Sequence, residues 1–126
     1  MIRLWICAGA ENGFVAVALG AFSAHFLDRE LSGEALGWIE TGARYELFHA
    51  VALLSVAWLS GREVRSPVSL SVAGWAFLLG TILFCGTLYL MALTGAAGIG
   101  RVVPIGGVAF LIGWGSLFFY GIALKW

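Results

Sequence analysis

Ser71-Val-Ala-Gly-Trp-Ala-Phe-Leu-Leu-Gly-Thr-Ile-Leu-Phe-Cys-Gly-Thr-Leu-Tyr-Leu-Met-Ala-Leu93 contains no charged residue. A helix needs about 20 mainly apolar residues to cross roughly 30 Å of hydrocarbon, so this stretch predicts a transmembrane helix. Only helices and closed barrels satisfy their backbone in lipid, and the ten-residue alternation of a barrel strand is missing. Working outward, Val102–Leu124 is a second apolar run, ending at Lys125 and Trp126, an interfacial pair. Leu4–Leu27 is a third, interrupted by Glu11, Asn12 and His25, and Trp38–Ser60 is the fourth. Polar breaks at Asp28–Glu34 and Gly61–Pro67 and a flexible, glycine-rich turn at Thr94–Arg101 separate the runs. Ser32 or Gly33 suits a helix start, and so does Pro67. The expected fold is all-α: an integral membrane four-helix bundle, up-down-up-down, with spans near 4–27, 37–60, 70–93 and 102–124. Residues 1–126 then form a single transmembrane domain.

Composition agrees. The 126 residues are 61% hydrophobic and 11% charged, with a mean hydropathy of +0.97. Soluble domains run to roughly 45–50% apolar and about 25% charged, so a soluble enzyme, a disordered chain and a disulfide scaffold are excluded. Seven basic and seven acidic residues cancel, which leaves no footprint for nucleic acid. The expected partner is the lipid bilayer. Cys7 and Cys85 fall inside spans, without C-x-x-C spacing, as small buried hydrophobes. The N-terminal run Leu4–Leu27 continues too far for a cleaved leader, so it reads as an uncleaved span. Arg3, Arg62, Arg65 and Lys125 outweigh Arg29, Arg101 and Arg44, which favours cytoplasmic termini.

The polar residues inside the spans are the candidate functional groups. The uninterrupted apolar part of the Trp38–Ser60 run, Leu47–Ser60, covers only roughly 21 Å as a helix, so the turns before it must enter the membrane or its interface. At 100° per residue Gly42, Tyr45, Glu46 and His49 share a face, which should point into the bundle because lipid cannot satisfy it. His25, near the end of the first helix, is expected to join Tyr45, Glu46 and His49 at that end of the bundle. Tyr89 and Thr94 run toward the same end and could supply partners. Glu40 and Arg44, an i,i+4 pair on nearly the opposite face, read as a surface salt bridge. Glu46-Leu-Phe-His49 is formally a Glu-x-x-His motif, but di-iron bundles use two of them plus two further glutamates. The donor set is incomplete, so no metal and no cofactor is expected.

Glu11, Ala18, Phe22 and His25 lie along one stripe of the first helix. Glu11 and His25 are about 21 Å apart along it and cannot serve one site. Glu11 is an intramembrane carboxylate and hence a candidate functional group. The alternative is a structural hydrogen bond to Ser116 or Tyr120 on the fourth helix. Gly9-x-x-x-Gly13, and Gly106 and Gly107 among the glycines of the fourth helix, would let a neighbouring helix approach closely.

Together, Gly20-Ala-Phe-Ser-Ala-His25, Trp38–Thr41 with Tyr45, His49 and Ala50, Phe84–Leu93 and Pro104-Ile-Gly-Gly107 resemble the blocks of a known family. It comprises small inner-membrane proteins of unknown function called YgdD-like, known in eukaryotes as transmembrane protein 256. The likeness runs essentially end to end. It departs at Ser23, where the family has Gly, and at Glu46, where it has Gln. The resemblance implies a four-span membrane protein and supplies no reaction.

Three functions stay open. Short loops, abundant glycine and an incomplete catalytic set favour a non-enzymatic membrane protein, self-associating as a homo-oligomer or acting as an accessory subunit of a membrane-protein partner. The alternative is a small transporter or ligand-binding bundle using its intramembrane Glu and His residues. A membrane enzyme or metalloprotein comes third.

Overall fold

The computed structural model describes residues 1–63 and 67–124. Arg65, Lys125 and Trp126, used above for orientation and interfacial anchoring, lie outside the described residues. The described chain is helical, with no strand among its residues. Helix α1 covers Ile2–Leu27, α2 Gly33–Arg62, α3 Val68–Thr94 and α4 Val103–Ala123.

Local chemistry sets the ends. Ser32 caps α2: its hydroxyl accepts from the Ala35 amide at 3.1 Å, satisfying one of the orphan donors of the first turn. Pro67 precedes α3 with φ −59°, the value its ring imposes and a helix start accepts. Gly95 closes α3 at φ +72°, a left-handed cap that needs glycine, with its amide donating to the Met91 carbonyl at 2.8 Å. The segment expected as a flexible turn is instead a 3-10 turn over Ala97–Val102 that leads directly into α4.

Two irregularities interrupt the helices. The last turn of α1, Ser23–Leu27, and the middle of α3, Thr81–Gly86, are π-helical. Single π turns inside α-helices re-aim the side chains that follow and are frequent at functional sites.

The antiparallel helices follow one another up, down, up and down. α1 packs on α2 and α4 packs on α3, while α2 and α3 meet between them. The outer helices therefore bury little, and α2 and α3 carry most of the core. Trp5 from α1 reaches that core fully buried, among Leu53, Val56, Ala73 and Phe77. A second cluster joins Ala35, Ile39 and Ala92 beside Leu27 and Leu31.

Close approach depends on particular glycines. A β-carbon on Gly106 would stand 2.5 Å from the Phe84 backbone nitrogen, so α4 crosses the π turn of α3 nearly backbone to backbone. One on Gly9 would meet the Leu54 side chain at 2.9 Å, whereas Gly13 and Gly107 leave ordinary contact distances. Gly74 admits the Trp5 indole and Gly113 admits the Phe77 ring.

α1, α3 and the segment Ala97–Ala123 are long and apolar enough to cross a membrane. α2 is not among them. It is long enough, but Glu34, Glu40, Arg44, Glu46 and Arg62 lower its apolar character.

Candidate functional site

Of the polar residues of α2 that share a face, Glu46 and His49 are carried into the bundle at mid-helix, whereas Tyr45, expected to point inward with them, is exposed. Glu46 is 5% and His49 4% exposed. Their partners come from the two following helices. The Tyr89 hydroxyl of α3 donates to Glu46 Oε2 at 2.5 Å. Gly42 makes this possible, since a β-carbon there would stand 2.7 Å from Tyr89 Cε1. The Trp114 indole N–H of α4 donates to His49 Nε2 at 3.2 Å.

His49 Nδ1 lies 2.6 Å from the Tyr45 carbonyl oxygen. A carbonyl can only accept and an indole N–H can only donate. The ring is therefore the neutral tautomer protonated on Nδ1, with Nε2 as its acceptor. Phe110 stacks on it, centroids 3.5 Å apart and planes 8° from parallel, and Phe77 lies behind at 5.5 Å. Both ring nitrogens are hydrogen-bonded and aromatic rings pack on the imidazole.

Tyr45 differs from its neighbours on α2. It is 41% exposed, with its ring tilted over Phe84 at 4.6 Å. Its hydroxyl makes no hydrogen bond to any described residue. Beside it, between α2 and α4, a groove of about 710 Å³ opens sideways, with His49 in its floor and Trp114 as one wall.

The structure does not bring His25 to this group. Ser23 and Leu27, four residues apart, turn inward at the π end of α1, and His25 between them projects outward and is exposed. Thr94 also stays apart, since its hydroxyl donates to the Leu90 carbonyl of its own helix. Glu11 is exposed on the outer face of α1 and bonds neither Ser116 nor Tyr120. The Tyr120 hydroxyl donates instead to Glu63 Oε1 at 2.5 Å. Arg44 and Glu40 pair at 3.0 Å along the exposed side of α2. Among the described residues no three His, Cys, Asp or Glu side chains gather as a metal-ligand set.

Sequence reasoning missed Trp114 and Phe110, the residues that hold the imidazole. They lie four apart on α4, a spacing that places them on one face. Nothing in the sequence pairs that face with His49.

With this geometry in view, the comparisons with known proteins bear on the whole chain. Residues 19–107 match the model of a family described as "Protein of unknown function (DUF423)". A UPF0382 membrane protein of Haemophilus influenzae is 47% identical over 108 residues, covering 86% of this chain and 85% of its own length. The UPF0382 membrane protein YwdK of Bacillus subtilis is 38% identical over 113 residues, covering 90% and 91%. The UPF0382 inner membrane protein YgdD of Escherichia coli K12 is 40% identical over 123 residues, covering 98% and 92%. No solved structure matches. A family model that spans most of the chain, relatives that align over nearly all of it and long apolar helices agree: this chain is a membrane protein of the DUF423 family.

Proposed function

We propose that this chain is a four-span protein of the inner membrane, with both termini cytoplasmic, that works by self-association through the outer face of α1. In this reading α2 is the fourth span, its charged turns at the interface and its apolar part in hydrocarbon, and residues 1–126 act as one transmembrane unit. The observation that carries it is Glu11. The carboxyl lies near the middle of a membrane-length helix, exposed, without a hydrogen bond or ion pair to any described residue. An intramembrane carboxyl facing lipid is costly, and such groups face protein or a water-filled cavity. Cys7, Phe14, Ala18, Ala21 and His25 are exposed on the same stripe, at helical spacing. Small residues there allow close helix approach. Across a two-fold axis the stripe would meet itself and take both carboxyls out of contact with lipid.

Cys7 supplies the test, since it is exposed one turn from Glu11 while Cys85 is buried. Oxidation or a short bis-maleimide in native membranes should give a dimer. The dimer should be lost in Cys7→Ser and weakened in Glu11→Leu. A Cys7 cross-link to a different protein would make the chain an accessory subunit instead. No cross-link together with a monomer in mild detergent would end the self-association reading.

A second reading, ligand binding by the intramembrane Glu and His residues, is favoured by the groove beside His49.

A further inference from the structure

The groove between α2 and α4 lies on a different face of α2 from the one α1 covers, where Ala43, Ala50 and Leu54 meet the small residues of α1. It is lined by Tyr45, Phe48, His49, Val51, Ala52 and Trp114. Two aromatic side chains, Tyr45 and Trp114, are 41% and 49% exposed beside it. Three features define what fits.

The first is a directional polar group set in an apolar slot. His49 is 4% exposed and satisfied, but its Nε2 bond comes from a half-exposed indole at 3.2 Å, the long end for an N–H donor. With the half-exposed indole swung aside, a hydroxyl entering between them would donate to Nε2 and accept from the indole, replacing one bond with two. The second is charge. The one charged residue lining the groove, Arg44, already has Glu40 as its counter-ion at 3.0 Å. The slot therefore favours an uncharged guest. The third is shape and access. Tyr45 and Trp114 offer ring faces, and Phe48 and Val51, 65% and 58% exposed, mark a mouth that faces outward from the apolar part of α2, Leu47–Ser60. Aromatic faces stack on planar rings, and the free Tyr45 hydroxyl is a further donor and acceptor for one.

We infer that the α2–α4 groove is a binding site for an uncharged, membrane-partitioning amphipath with a planar hydroxylated ring, of the phenol or hydroquinone class. Its hydroxyl lies between His49 Nε2 and Trp114 Nε1, and its apolar tail runs out past Val51 toward Ser55. A second copy of the chain would offer apolar side chains here and leave the His49–Trp114 pair unused. An anionic lipid would have to compete with Glu40 for Arg44.

The test uses the full chain in lipid nanodiscs, with a short-chain alkyl hydroquinone kept reduced as the probe. Nitrogen resonances of the Trp114 indole and the His49 imidazole report occupancy. Both should shift together and saturate at one midpoint. Trp114→Phe, at a half-exposed position, should weaken binding about fivefold, the effect of losing one hydrogen bond. The dimethyl ether of the same probe cannot donate, and should bind about fivefold or more weakly to the unaltered protein. Shifts that rise linearly with probe in the lipid, or an ether that binds as well as the hydroquinone, would overturn the assignment. So would saturable binding of decanoate that disappears in Arg44→Gln, which would give the groove to an anionic lipid. Self-association through α1 is read by cross-linking, so either result can fail without the other.

Discussion

The ring of Tyr89 fills the space that Gly42 leaves on α2, and from there its hydroxyl reaches Glu46 one turn further along. A missing side chain on one helix and a long one on the next thus give a buried carboxyl its donor. Among the described residues no cation lies against Glu46, so this bond is what compensates its removal from water.

Tyr89→Phe keeps the ring and removes the donor. It should destabilise the protein by about 1–3 kcal/mol, the cost of leaving a buried polar group unsatisfied. Thermal unfolding in a mild detergent, followed by helical circular dichroism, measures it. Glu46→Gln keeps an acceptor for the tyrosine and should melt close to the unaltered protein. A Tyr89→Phe variant that melts with the unaltered protein would show that the bond does not matter.

Gly74→Ala should be destabilising by about 1–3 kcal/mol, the usual range for overpacking. The new methyl would stand 2.6 Å from Trp5 ring atoms, and that ring is fully buried with nowhere to go. Gly115 has nothing within 4 Å of its β-carbon position. Gly115→Ala should be neutral or gain about 0.5–1 kcal/mol from helix propensity. Paired melts of the two variants separate packing from propensity.

Cys85 is fully buried in the core of α3. In a Cys7→Ser background it should stay unmodified by N-ethylmaleimide in the folded protein and react once the protein is denatured. Intact-protein mass spectrometry distinguishes the two, and rapid labelling of the folded form would contradict the core placement.

Ser32→Ala removes the side-chain acceptor at the start of α2 and should cost about 1 kcal/mol. Ser32→Asp should restore most of it, because aspartate caps equally well. Amide hydrogen exchange at Ala35 is the local readout: faster in the alanine variant, slow again in the aspartate one.

The sequence by itself determined the helices and their order. Apolar runs such as Ser71–Leu93 have few options in lipid, where every backbone group must be satisfied within its own segment, so length and hydropathy sufficed. The breaks were legible for the same local reason: Ser32, Pro67 and Gly95 act on the residues beside them. That Glu46 and His49 share a face also follows from helical spacing alone. Their partners did not. That Tyr89 reaches Glu46 and Trp114 reaches His49 depends on the rotation and register of α3 and α4 against α2. Those are set by contacts distant in sequence, at Gly42, Gly106 and the π turn beside Phe84. His25 shows the same limit: its place in the chain suggests the bundle end, but it falls on the outer stripe of α1 with Glu11, and which stripe faces the bundle is decided by how α1 packs on α2. Local rules fix which way a side chain leaves its own helix, while what it meets is decided by how four helices fit together.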